Sequence, residues 1–253
     1  MRTIAIATQK GGVGKTTTAW TLANCLRQKG KRVLAIDLDP QRNLSNLFRA
    51  NTKTENNSLS LFLQTADAQE VIQRTDQGDI IPAGKNLQAL DLTLKNKSGK
   101  EYFLKNSLEP IAKNYDFCVI DCPPSLGMAT MNALTTSDCV VIPVEASAFS
   151  LDGLDDIAET IDYVKEKCNN PKLKIAGILL TRYEPNTNLS KAVIDIANGI
   201  AQNLNTKVFS SPIRNSVKVR EAQMLRTDLF QYAGKCNPAQ DYESFTEELL
   251  RGM

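Results

Sequence analysis

Gln9-Lys10-Gly11-Gly12-Val13-Gly14-Lys15-Thr16-Thr17-Thr18 stands between a short apolar run, Ile4 to Thr8, and a helical stretch from about Lys15 to Gln28 that Gly30 closes. Strand, glycine-rich turn and helix in succession are the setting of a phosphate-binding loop. Glycines let successive N–H groups turn inward without a Cβ in the way, and the helix N-terminus adds partial positive charge. In that setting Lys15 supplies a point charge for the β- and γ-phosphates, and the Thr16 hydroxyl is placed to bind Mg²⁺. The common spacing G-x-x-x-x-G-K-[ST] is not met, because its first glycine would fall on Gln9. Instead a second lysine, Lys10, precedes Gly11-Gly12. It either folds back on its own nucleotide or reaches one held by a second subunit, as an arginine finger does in trans.

Outward from the loop, strand-like and helix-like segments alternate. Residues 32–37, 79–82, 117–121, 139–144, 175–181 and 207–209 read as strands. Leu59 to Val71, residues 151–167, Leu189 to Leu204 and Tyr242 to Leu250 read as helices. Such alternation predicts an α/β fold, a doubly wound and mostly parallel sheet with helices on both faces. No repeat, linker or low-complexity tract interrupts it, so residues 1–253 are expected to form a single P-loop domain.

Two strand ends carry acidic residues, and parallel sheets of this kind bind ligands beyond the carboxyl ends of their strands. Asp37-Leu38-Asp39-Pro40-Gln41 follows one strand; its i, i+2 aspartates share a face if the chain stays extended. One of the pair is expected to order Mg²⁺ or its waters and the other to orient the attacking water. Asp121 closes the apolar strand Val119-Ile120-Asp121 and is the expected Walker B carboxylate, holding Mg²⁺ directly or through water. Pro123-Pro124 then forces an abrupt exit from the sheet, a candidate switch responding to the γ-phosphate.

Composition limits the chemistry. The 253 residues are 42% apolar and 23% charged, and contain no histidine. That excludes histidine general bases, Ser-His-Asp and Cys-His nucleophiles and His-ligated metals. The six cysteines form no C-x-x-C pair and read as buried thiols of a reduced cytosol. With no long apolar run and no signal-like N-terminus, the expected location is cytoplasmic.

Taken together, these motifs resemble the ParA/Soj family of deviant Walker A partition ATPases, related to MinD. Lys10 to Thr17 is similar to its deviant Walker A motif, Asp37 to Gln41 to its A′ motif, and Asp121 to Ser125 to its B motif; weaker similarity runs through Gly177 to Thr181 and Arg214 to Ala222. The resemblance implies a Mg²⁺-dependent ATPase whose homodimer sandwiches two ATP molecules. Lys10 then reaches across to the partner's phosphates, while Gly11, Gly12, Val13, Gly14, Lys15, Thr16 and Thr17 cradle the chain's own. Lys10, Lys15 and Asp39 are the expected catalytic residues, Asp39 by positioning the water. Thr16, Asp37 and Asp121 are the expected metal residues. Thr181, Arg182 and the segment from Pro212 to Asn215 frame the adenine. The resemblance also implies ATP-dependent binding to DNA without sequence preference, association with the nucleoid, and a ParB-type partner that stimulates hydrolysis, in segregation of plasmid or chromosomal DNA. The alternative is positioning of a protein cargo through an adaptor by the same cycle. A nucleotide-dependent iron–sulfur reductase on Cys122 and Cys139 is a remoter alternative. With its first strand at residue 3, the chain is not expected to carry an operator-reading region before it.

The net charge of +2 conceals opposed segments. Residues 207–226 carry five basic side chains and one acidic; residues 145–166 carry seven acidic and one basic. A basic strip is the electrostatic footprint of nucleic-acid phosphates, so Lys218, Arg220 and Arg226, with Lys191 and Arg214, are the expected DNA contacts. The acidic C-terminal segment (Asp241, Glu243, Glu247, Glu248 against Arg251) argues against a membrane-binding helix of the MinD kind. Three departures from the Soj-like pattern stand here: Asn186 where an arginine is usual, one extra residue within Arg214 to Lys218, and Gln223-Met224-Leu225-Arg226 in place of Pro-Ser-x-Gly-Lys.

Overall fold

Alternate residues of a strand point to opposite faces of its sheet, and here both sets are apolar, which a strand needs when helices cover it on both sides. The computed structural model describes residues 1–146, 153–185 and 187–253. Among them are β1 Arg2–Ile6, β2 Val33–Asp37, β3 Gln73–Thr75, β4 Gly78–Ile81, β5 Phe117–Asp121, β6 Cys139–Glu145 and β7 Lys174–Thr181. They form one sheet in the order β3-β4-β2-β5-β1-β6-β7. Only β3 runs antiparallel, against β4; the other pairs are parallel. Val33 and Ala35 of β2 enter one core with Ile4, Ile6 and Val119, closed by helices Lys15–Gln28, Val217–Leu225 and Asn237–Arg251. Leu34 and Ile36 enter the other with Ala5, Cys118 and Ile120, closed by Met128–Thr136, Leu154–Lys167 and Asn188–Asn203. The doubly wound sheet expected from the alternation is the one observed.

The differences from the sequence reading are local. The single helix expected over Leu59 to Val71 is two, Ser58–Leu63 and Ala68–Val71. Gln64 closes the first in a left-handed conformation, and a capping box from Asp67 to Glu70 opens the second. The strand expected at 207–209 is a single bridge from Val208 to Ile178. It stops there because Glu248 of the last helix takes the Ser210 N–H (2.9 Å) and hydroxyl (2.6 Å) away from the sheet. The last helix itself begins at Asn237 rather than Tyr242, with proline in its first turn. The helix expected from residue 151 is described from Leu154; residues 151 and 152, like Asn186, lie outside the described residues. Among the described residues no helix is long and apolar enough to cross a membrane.

The last helix packs on the helix that follows the glycine loop. Tyr242 and Phe245 are fully buried. The Phe245 ring meets Phe209 edge-on with centroids 4.8 Å apart, and Tyr242 at 6.4 Å. The Tyr242 hydroxyl lies 3.2 Å from that of Thr18, so packing here bears on the first turn after the loop. Phe245→Ala is expected to cost about 3–5 kcal/mol of stability, read from the urea midpoint. Tyr242→Phe, which removes only the hydroxyl pair, is expected to cost about 1 kcal/mol in the same assay.

Candidate active site

β1 ends at Ile6, and the chain turns through residues 7–14 before the helix opens at Lys15. Gly12 (φ 77°) and Gly14 (φ 89°) hold left-handed conformations that a Cβ would oppose. A Cβ on Gly11 or Gly12 would meet nothing within 4 Å, so this side of the loop is open. Three side chains fix the loop's shape. Thr181, the last residue of β7, donates its hydroxyl to the Val13 carbonyl (2.9 Å). Lys15 Nζ donates to the Lys10 carbonyl (2.7 Å). Gln223 Nε2 donates to the Thr17 hydroxyl (2.8 Å). Lys15 is buried; burial lowers its pKa, and Asp121, Cys122 and Asp39 work against that shift.

Strand register carries the carboxylates to the loop. Asp121 on β5 is level with Ile6 on β1 and with Asp37 on β2. Asp37 is fully buried, and both its oxygens are engaged: Oδ1 accepts the Asp39 N–H (3.0 Å), and Oδ2 accepts the Ser45 N–H (2.8 Å) and hydroxyl (2.6 Å). Burial pushes its pKa up, against the bonds from Ser45 and the Asp39 amide. The two aspartates of this segment therefore differ: Asp39 lines the cleft, whereas Asp37 folds the loop that presents it. The expected place of Asp37 beside the metal is therefore shared with its bonds to the Asp39 and Ser45 backbone and to the Ser45 hydroxyl. Asp121 is the opposite case. It is fully buried, and its oxygens are not engaged as those of Asp37 are; the Thr16 hydroxyl is the donor beside them. Burial and then the Asp37 carboxylate drive its pKa well up, while the Thr16 hydroxyl and the Lys15 ammonium hold it down. A buried carboxylate with unused lone pairs beside a threonine hydroxyl fits a hard divalent cation.

The loop borders a cleft of about 520 Å³, with Asp39, Gln41, Asn43, Pro124, Gln223 and Arg226 on its other walls. A second cleft of about 380 Å³ shares Gly14, Thr17, Arg182 and Gln223 with it and continues past Thr181, Ile213 and Asn215. Of the residues expected to frame a base, Thr181, Arg182 and Asn215 line this second cleft; Pro212 does not, and its neighbour Ile213 does. A larger hollow of about 1060 Å³ lies at the opposite sheet edge, beside Arg2, Cys139 and Lys174, the first residues of their strands. It is far from the carboxylates, and ligands of parallel sheets gather at the other edge.

A family model described as an AAA domain matches residues 1–175. The chain is 38% identical over 249 residues to the sporulation initiation inhibitor protein Soj of Bacillus subtilis (strain 168), covering 97% of both chains. It is 36% identical over 255 residues to the chromosome partitioning protein ParA of Caulobacter vibrioides (strain NA1000 / CB15N), covering 99% of this chain and 94% of that one. The chain belongs to the ParA/Soj family of partition ATPases. Among solved structures it is similar to a cobyrinic acid a,c-diamide synthase of Mycobacterium smegmatis with bound ATP analogue and magnesium, at a TM-score of 0.86 and 32% identity, covering 99% of this chain and 95% of that one.

Within this ParA-type fold the basic strip is not continuous. Arg214 is turned inward: its guanidinium and backbone N–H bind Asp241 of the last helix through four contacts of 2.6–3.1 Å. It clamps this segment to the last helix with its Nε and Nη2, while Nη1 takes part in none of these contacts. Lys218 lies 2.9 Å from Glu221 in an exposed pair. Arg220 borders the second cleft and Arg226 the first. Lys191 is exposed on Asn188–Asn203. Cys122 and Cys139 are both buried, at opposite ends of their strands, which denies them a shared cluster.

Two residues of the site escaped the sequence reading. Gln223 and Thr17 are 206 positions apart, and no spacing announces their contact. Ser45 is signalled only by its place two residues into a helix that follows the acidic segment. Asp121→Asn is expected to abolish the effect of magnesium on nucleotide affinity, read by equilibrium titration of nucleotide with and without the metal.

Proposed function

We propose that the chain is an ATP-driven partition switch, with residues 1–253 acting as one ATPase domain. The observation that carries this reading is the buried Asp121 carboxylate behind the glycine loop, with only Lys15 and Thr16 beside it. ATP is held by the N–H groups of the loop and by Lys15, with its base in the cleft bordered by Ile213 and Asn215. Thr16 and Asp121 are the residues that would hold magnesium, which when bound would supply neutralisation of charge on the phosphate oxygens. Asp39 orients a water for in-line attack on the γ-phosphorus; the bond to the bridging oxygen breaks, giving ADP and phosphate. Asp37 keeps Asp39 in place through the Asp39 N–H and through Ser45. The absence of histidine is no obstacle, because positioning and charge stabilisation dominate phosphoryl transfer.

In this reading ATP joins two chains face to face, and Lys10 of each reaches the other's phosphates. The dimer binds DNA without sequence preference through Lys191, Lys218 and Arg220. The Lys218–Glu221 pair is exposed and weak enough to open for a phosphate. Pairing doubles the contacts and raises affinity by avidity. A ParB-type partner stimulates hydrolysis and releases the dimer, so that cargo follows the nucleoid-bound pool in the cytoplasm.

The deciding experiment is DNA binding with ADP, ATP and a non-hydrolysable analogue across a salt series. Tight binding is expected with ATP or the analogue only, falling steeply with salt; binding indifferent to nucleotide would overturn the switch. Lys15→Ala is expected to abolish ATP binding in equilibrium titration. Asp39→Ala is expected to bind ATP and accumulate as a dimer on size exclusion with turnover lost; unchanged turnover would refute its role.

A further inference from the structure

The sequence puts Arg226 on a basic strip, but the fold puts it on the wall of the phosphate cleft, among Lys15, Thr16 and Asp39. It ends the helix Val217–Leu225 with φ 50°, a left-handed conformation that its Cβ opposes and glycine adopts freely. The stretch that leads into it is anchored at two points. Gln223 donates to Thr17 in the first turn of the helix after the loop at 2.8 Å, and the Leu225 carbonyl accepts from Arg49 at 3.4 Å. Arg182, on the same wall, lies 3.3 Å from Glu145 in an exposed pair. Among the described residues Arg226 takes part in none of the ion pairs. An exposed guanidinium without a carboxylate, held at a cleft open to phosphate, has five donors suited to phosphate oxygens.

We infer that Arg226 is a phosphate-binding residue of its own subunit's nucleotide site, a cation additional to Lys10 and Lys15, and that Gln223 is the positioning residue that sets it there. This rests on the nucleotide reading above. Arg226 binds the polyphosphate tail from the wall opposed to the glycine turn. The two-point anchoring limits what must be ordered when the nucleotide enters.

The test is equilibrium binding of ADP and of a non-hydrolysable ATP analogue to the full chain and to Arg226→Gly, Arg226→Lys, Gln223→Ala and Lys15→Ala, with thermal melts of each ligand-free protein. Glycine relieves the backbone strain, so Arg226→Gly is expected to melt no lower than the parent. It is expected to bind the analogue about tenfold more weakly, with a smaller loss for ADP. Arg226→Lys restores part of the affinity, and Gln223→Ala reproduces part of the loss. Parental affinity in Arg226→Gly, with binding abolished in Lys15→Ala, overturns the assignment of Arg226 and leaves the nucleotide site standing. Tight binding by Lys15→Ala overturns the nucleotide reading itself. If Arg226→Gly binds nucleotide like the parent and loses only retention on DNA, Arg226 is a DNA contact and the inference is wrong.

Discussion

The parallel ladder of β2, β5 and β1 is the constraint on which the rest depends. Backbone bonds from Leu38 N to the Asp121 carbonyl (3.0 Å) and from Cys122 N to the Ile6 carbonyl (3.2 Å) extend that ladder past the strand ends. They bring the glycine loop, the Asp37 segment and Asp121 to one edge in one row. A slip of one residue would turn Asp121 to the other face of the sheet and exchange every core side chain of β5. The register is therefore held by the two apolar cores, and the polar site inherits its geometry from them. Two neighbouring carboxylates without water are costly. Asp37 is tolerated because three donors reach it; Asp121 has only the Thr16 hydroxyl and the Lys15 ammonium beside it, and that imbalance makes it the group that would gain most from a cation.

The acidic last helix has a different task from the one its composition suggests. Its carboxylates are distributed over the chain's own basic groups: Glu247 meets Lys29 at 3.0 Å, Asp241 meets Arg214 at 2.6 Å and Glu248 meets Lys207 at 2.6 Å. The exposed pair contributes little. The Arg214 pair, with four contacts, fixes the segment that leads from the second cleft into the helix bearing Gln223. Charge that looks like a surface patch in the sequence is thus partly internal scaffolding, and it holds the cleft wall against the helix that follows the glycine loop.

That helix, Val217–Leu225, links the two clefts. Gln223 touches the loop, Arg220 borders one cleft, and Arg226 the other. A segment anchored beside the phosphate loop thus carries cations to both clefts, in a chain whose net charge is only +2.

The sequence by itself determined the features that depend on neighbours along the chain. Glycines between strand and helix specify the loop, because only they accept the left-handed turns at 12 and 14. Apolar runs of five to eight residues specify buried parallel strands, and the aspartates at their ends specify where acid meets phosphate. The short helices after Asn57 and Asp67 were also encoded locally, in their capping boxes, but an apolar pattern running across the break masked them. Tertiary structure alone decided which aspartate is engaged and which is open, that Arg214 is clamped by Asp241, and that Gln223 reaches Thr17. Those outcomes depend on contacts between residues far apart in the chain. The side chains involved are common polar ones with several available partners, and only packing of the two cores selects among them.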